Sequence, residues 1–163
     1  MIIESSHTNM NKSEIAFFTE TIKGVDRYVE YGSGVSTEIA RNHCKQVTSI
    51  ETDPEWARKT GAYHCNIGKV VAWGYPLKPP QVYMLRQYFS FAKDFDILFI
   101  DGRYRASVAL HATPGLILIH DYERKQYHVV EKYMKKIKQV DRLALFEKKE
   151  EPIITLELLT KAL

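Results

Sequence analysis

The chain has 163 residues, 45% hydrophobic and 26% charged, with two cysteines and a formal net charge of +3. That length fits one domain over 1–163 that folds without disulfides or a metal, and the apolar fraction excludes disorder and collagen. Residues 1–122 hold 13 Lys/Arg against 13 Asp/Glu and residues 123–163 hold 10 against 7, a surplus too mild for a dedicated nucleic-acid binder.

Along the chain, 1–23 is an N-terminal arm and helix: Ile15, Phe18 and Ile22 recur at helical spacing, Ser13 is available as N-cap, and Gly24 ends the run. Arg27–Glu30 is a strand leading into Gly32-Ser33-Gly34, and Val35–Cys44 a surface helix. Gln46–Glu51 is a second strand, and Pro54–Thr60 a helix capped by Asp53 with proline at its first position. Lys69–Trp73 reads as a third strand, 74–80 (GYPLKPP) as a loop, and Gln81–Phe91 as an aromatic-rich helix.

Asp96–Ile100 and Leu116–Ile119 are unbroken apolar strands, buried on both faces, with a helix through Ser107–Ala112 between them. Tyr127–Gln139 reads as a long basic helix, and Leu143–Phe146 and Ile153–Leu158 as a closing antiparallel hairpin. The alternation predicts an α/β fold: a doubly wound, mostly parallel, Rossmann-like sheet of seven strands with helices on both faces. No apolar run reaches the ~20 residues that span a bilayer, and MIIESSHTNMNKSE lacks a basic segment followed by an apolar one. A cytoplasmic protein without a membrane partner is expected, with Cys44 and Cys65 as reduced, isolated thiols.

The sharpest signal is VEYGSGVST at the first strand–helix junction, where Gly32 and Gly34 allow a tight turn and a close ligand approach. Glu30 beside that turn would repel a pyrophosphate and attract an ammonium. Glu51, at the end of the second strand, suits the two hydroxyls of a ribose. The implied ligand carries a cationic amine and a free ribose.

With these features the chain resembles the class I S-adenosylmethionine-dependent methyltransferases. VEYGSG matches their first motif, SIETD their acidic second motif, DILFIDGRYR the fourth-strand motif and LILIHDY the fifth strand, covering roughly residues 24–160. The resemblance implies S-adenosyl-L-methionine as cofactor. It implies that Glu30, Gly32 and Gly34 line its methionine end, with Ser33 also in the cofactor site, that Glu51 holds the ribose and that Asp101 faces the methionine and the substrate. Ser36 replaces the motif's third glycine, and the residue that commonly touches adenine after the third strand is missing; Trp73 is the candidate to stack there, with a core position as its other reading.

Asp101, His120 and Asp121 follow two apolar strands at their carboxyl ends and form the candidate catalytic set, with neutral His120 as general base or, in its other reading, as a structural histidine capping a strand end. Catechol-type O-methyltransferases hold magnesium at similar places. His120 stands here for a carboxylate and Mg²⁺ prefers oxygen, so no metal is assigned. Arg103 and Arg105 are candidates for an anionic substrate, or for salt-bridged first-turn arginines. The aromatic stretch Tyr75, Tyr83, Tyr88, Phe89 and Phe91 reads as core or subunit contact, or else as a lid.

The expected activity is methyl transfer to a small-molecule O- or N-nucleophile, in a possible homo-oligomer. The alternative is a non-catalytic nucleoside-binding or scaffold module. A nicotinamide oxidoreductase is disfavoured by Glu30 and by the incomplete glycine motif. A nucleic-acid methyltransferase is disfavoured because the fourth strand ends in IDGR rather than a proline-rich tetrad.

Overall fold

A computed structural model describes residues 9–150. Strands β1 (Arg27–Tyr31), β2 (Gln46–Glu51), β3 (Tyr63–His64), β6 (Ile97–Ile100), β7 (Gly115–Ile119), β8 (Lys135–Val140) and β9 (Leu143–Lys148) form one sheet in the order β3-β2-β1-β6-β7-β9-β8. The first five are parallel, while β9 runs antiparallel to both β7 and β8. Two-residue strands β4 (Val70–Val71) and β5 (Tyr75–Pro76) make a separate antiparallel hairpin.

Alternation along the strands divides the core. Tyr28, Ile97, Phe99 and Leu118 pack on one face with Phe18 and Ile22 of α1 (Lys12–Ile22) and Ala40 of α2 (Val35–His43). Val29, Tyr31, Leu98, Ile100 and Ile117 point the other way, onto Leu85 and Phe89 of α4 (Val82–Phe89) and Val108 of α5 (Arg105–His111). Burial on both faces is why β6 reads ILFI without a polar residue. Helix α3 (Pro54–Thr60) starts at Asp53, whose carboxylate accepts from the Glu55 and Trp56 amides.

Several boundaries differ from the sequence expectation. Asn11, not Ser13, caps α1, through a reciprocal box with Glu14. The third strand of the main sheet is Tyr63–His64; Val70–Val71 belongs to the small hairpin instead. The basic stretch is not a long helix. Its first part, Lys125–Lys132, is a 3-10 helix, and Lys135–Val140 is the outer edge strand. Lysine on an edge strand blocks pairing with other chains, and the same lysines fall at near-helical spacing. The closing hairpin is therefore β8–β9, and Ile153–Leu158 lies outside the described residues. No helix among the described residues is long and apolar enough to cross a membrane.

At the end of β9, Lys148 is 3% exposed. Its Nζ donates to the carbonyls of Ala109, Leu110 and Ala112 at 3.2, 2.6 and 2.7 Å, satisfying the carboxyl end of α5.

Candidate active site

A cavity of about 280 Å³ opens at the carboxyl ends of β1, β2 and β6, lined among others by Gly32, Ser33, Gly34, Glu51, Asp101 and Arg103. The sheet order reverses between β1 and β6, the place where open α/β sheets bind ligands. The loops after β1 and β6 meet there through glycine. Gly32 has φ +86°, and a Cβ on it would lie 2.8 Å from the Gly102 amide nitrogen. At Gly34 a Cβ would meet nothing within 4 Å, leaving the backbone open to a ligand.

Glu51, 9% exposed, braces the turn. Its Oε2 accepts from the Ser33 amide and hydroxyl at 3.1 and 3.2 Å, and its Oε1 from the amides of Thr52 and Asp53 at 2.8 and 3.1 Å. The Ser33 hydroxyl also lies 2.8 Å from Thr60 Oγ1, and Trp56 Nε1 donates to the Ser33 carbonyl at 2.7 Å.

Glu30 is not brought to the cavity. It is fully buried beneath the turn, where Tyr28, Ser36 and Ser49 donate hydroxyls at 2.9, 2.8 and 2.6 Å, joined by Thr37. Burial pushes its carboxyl up, against those hydrogen bonds. Two donors, Ser36 and Thr37, lie on the first turn of α2, and Thr37 Oγ1 accepts from the Gly34 amide at 2.9 Å. Glu30 thus holds the glycine turn from below. The sequence resemblance put it at the cofactor's methionine end; the geometry makes it a support.

The candidate catalytic set is also rearranged. Asp101 lines the cavity with its side chain 28% exposed, whereas His120 is wholly buried and Asp121 nearly so. His120 Nδ1 lies 3.1 Å from Asp101 Oδ1 and 3.6 Å from Asp121 Oδ1, and its Nε2 lies 3.4 Å from Glu14 Oε2. Burial opposes a charged imidazole, but the Asp101 hydrogen bond and the charges of Asp101, Asp121 and Glu14 prevail and raise its pKa. Carboxylates on both sides favour the charged imidazole, and the ring is buried away from the cavity, an arrangement unlike the neutral base at the cavity that the sequence suggested. Asp101 is held below the ordinary aspartate value: burial acts upward, and His120 and Arg105 outweigh it.

Oxygen and nitrogen ligand atoms of Asp101, His120 and Asp121 come within 4.8 Å of one another, close enough to surround a cation. A cation is already there. Arg105, 4% exposed, places Nη1 3.2 Å from Asp101 Oδ1 and 3.1 Å from Asp121 Oδ2, and donates to the His120 carbonyl at 2.6 Å. Both candidate substrate arginines line the cavity, but Arg105 is engaged by these two carboxylates. Arg103 stays at the cavity, its guanidinium carbon 3.9 Å from the Tyr75 ring centre.

Trp73 also lines the cavity, 74% exposed and with φ 62°, so the core reading fails. Tyr104 (φ 56°) and Asp121 (φ 53°), in the loops after β6 and β7, are left-handed as well; such backbone costs energy and gathers at functional sites. The aromatic stretch divides, with Tyr88 and Phe89 in the core and Tyr75 and Tyr83 about half exposed.

Four contributors escaped the sequence analysis. Asn9 and Met10 border the cavity. Glu14, fully buried, accepts from Arg142 at its amide, Nε and Nη2 at 2.9, 3.2 and 3.1 Å, and Arg142 Nη1 reaches Asp121 at 3.4 Å. Only a capping-box pattern marked Glu14, and nothing local marked Arg142.

No family model and no curated protein matches the chain. Among solved structures, it is similar to a methyltransferase-like protein from Silicibacter pomeroyi, at 25% identity over 95% of this chain and 96% of that one, with a TM-score of 0.80. It is also similar to the N-methyltransferase NodS from Bradyrhizobium japonicum in complex with S-adenosyl-L-homocysteine, at 16% identity over 87% and 90% of the two chains, with a TM-score of 0.52. The chain has the class I methyltransferase fold.

Proposed function

We propose that the protein is an S-adenosylmethionine-dependent methyltransferase acting on a small-molecule O- or N-nucleophile. One observation carries this: the glycine turn, Glu51 and Asp101 converge on one cavity at the β1/β6 reversal of a methyltransferase fold. The open space at Gly34 suits a ligand pressed against the backbone. Bound there, the cofactor supplies an activated methyl group on a sulfonium.

All four lone pairs of the Glu51 carboxylate are engaged, so a ribose hydroxyl displaces a donor already present. The Ser33 hydroxyl is the one to yield, because it keeps Thr60 as a partner. Asp101, ionised beside His120 and Arg105, presents a fixed negative charge to the cationic end of the ligand. Trp73 offers its face to the adenine. In the transfer, the acceptor's oxygen or nitrogen forms a bond to the methyl carbon as the carbon–sulfur bond breaks, the sulfonium becomes a thioether, and the acceptor's proton passes to solvent. Positioning then provides most of the rate.

Calorimetric titration with S-adenosylmethionine tests the binding step, and release of S-adenosylhomocysteine over a panel of small acceptors tests transfer. A second reading, a non-catalytic nucleoside-binding module, is favoured by the withdrawal of His120 from the cavity. Binding without turnover across the panel is its expected signature.

A further inference from the structure

We infer that Arg103 anchors an oxyanion carried by the methyl acceptor, a carboxylate or phosphate group on a small molecule; the inference rests on the methyl-transfer reading of the cavity. Four arginines surround this end of the sheet. Arg105, Arg124 and Arg142 each form an ion pair with Asp121. Arg103 lines the cavity, and among the described residues no carboxylate pairs with it. Its Nε is buried without a hydrogen-bond partner, a state that an incoming acceptor group relieves.

The guanidinium is also held in place. It stacks on Tyr75 of the β4–β5 hairpin, and Tyr88 donates its hydroxyl to the Arg103 carbonyl at 3.2 Å. A planar, oriented fork with a free Nε–H is the group that recognises carboxylate and phosphate oxygens in pairs. Asp101, two residues earlier, makes its ion pairs with Arg105 and His120 and acts on Arg103 only as a nearby charge, without a direct contact. The charge of Arg103 holds the Tyr75 phenol below its ordinary value, as expected at an electropositive rim.

A nucleic-acid backbone fits less well. Lys135, Lys136 and Lys138 lie on β8, the far edge of the sheet, with β7 and β9 between that strand and β6. With two strands between those lysines and β6, whose following loop carries Arg103, a single anionic group on a small acceptor is the better match.

The test follows the Arg103 Nε–Hε resonance by NMR, assigned by its absence in Arg103→Lys, with S-adenosylhomocysteine present. Inorganic phosphate and acetate are titrated separately. A saturable shift with either anion is expected, and a response to only one identifies the acceptor's group. Followed at the Gly102 amide, Arg103→Met weakens that binding by about tenfold or more, and Arg103→Lys by less. An unmoved resonance overturns the inference, as does tighter binding of a short single-stranded RNA that Lys136→Gln weakens. Calorimetry with S-adenosylmethionine separates the failures: if the cofactor binds and neither anion does, the anchor alone is wrong; if the cofactor does not bind, the underlying reading falls.

Discussion

Glu14 and His120 are 106 residues apart in the chain, yet Glu14 Oε2 lies 3.4 Å from His120 Nε2 in the buried floor beside the cavity. Through this contact the first helix becomes part of the site. Glu14 links Arg142 of the closing hairpin to His120, and His120 links it to Asp101 at the cavity wall. The network is a fixed charge arrangement that orients Asp101.

Such a network has a definite pH signature. His120 has a folded pKa above its ordinary 6.5, so its contribution to stability is complete below that value and lost as pH rises through the folded pKa. Glu14 and Asp101 have folded values below 4.5 and 3.8. Burial acts upward on both and is outweighed by hydrogen bonds from Asn11 and Arg142 in one case and by His120 and Arg105 in the other. Their contributions hold above those pH values and vanish as pH falls through the folded pKa. Urea midpoints measured across pH should decline on both flanks. In His120→Asn the alkaline decline should disappear; its persistence would contradict a charged His120.

Arg105 occupies the position between Asp101 and Asp121 that a metal would otherwise fill. Replacing it with methionine removes the bridge between the two carboxylates, which keep His120, Arg124 and Arg142 as partners, at a cost of about 1–3 kcal/mol. Chemical denaturation measures this directly. A loss below about 1 kcal/mol would mean that the guanidinium is not holding the two loops together.

Glu30 serves as a support rather than as a ligand contact. Glu30→Ala should lower stability by a few kcal/mol, on the order of 1–3 for each stranded buried hydroxyl and less than additive, and cofactor affinity should fall with it. The comparison that decides is Glu30→Gln. A support role predicts that stability and affinity decline together, whereas a direct contact with the ligand's ammonium predicts lost affinity at unchanged stability.

Lys148→Met removes the donors to three carbonyls at the end of α5. A loss of about 1–3 kcal/mol is expected, with cofactor affinity unchanged because the residue lies away from the cavity. Thermal denaturation and calorimetry on the same variant check both halves.

Much of this architecture was legible in the residues themselves. Asp53-Pro54 marks the start of α3, and β2 begins and ends as its pattern implies. DILFI and LILI announce strands buried on both faces. What escaped has identifiable causes. Tyr63–His64 has only two residues, both exposed, and so no apolar signature, while the apolar KVV run was claimed by a surface hairpin. The β8 lysines mimic a helix face. At the site, Gly32, Glu51 and Asp101 were readable because local turn chemistry puts them at strand ends. The inward turn of His120 was not, because it depends on Glu14 and Arg142, whose meeting is decided by tertiary packing alone.

The measurement that bears most directly on the central claim is calorimetric titration of S-adenosylmethionine into the intact protein and into Glu51→Ala. Saturable one-to-one binding by the intact protein is predicted, weakened about tenfold or more in Glu51→Ala by loss of the charged acceptor for the ribose. Absence of binding to the intact protein, or equal affinity in the two, would contradict the account.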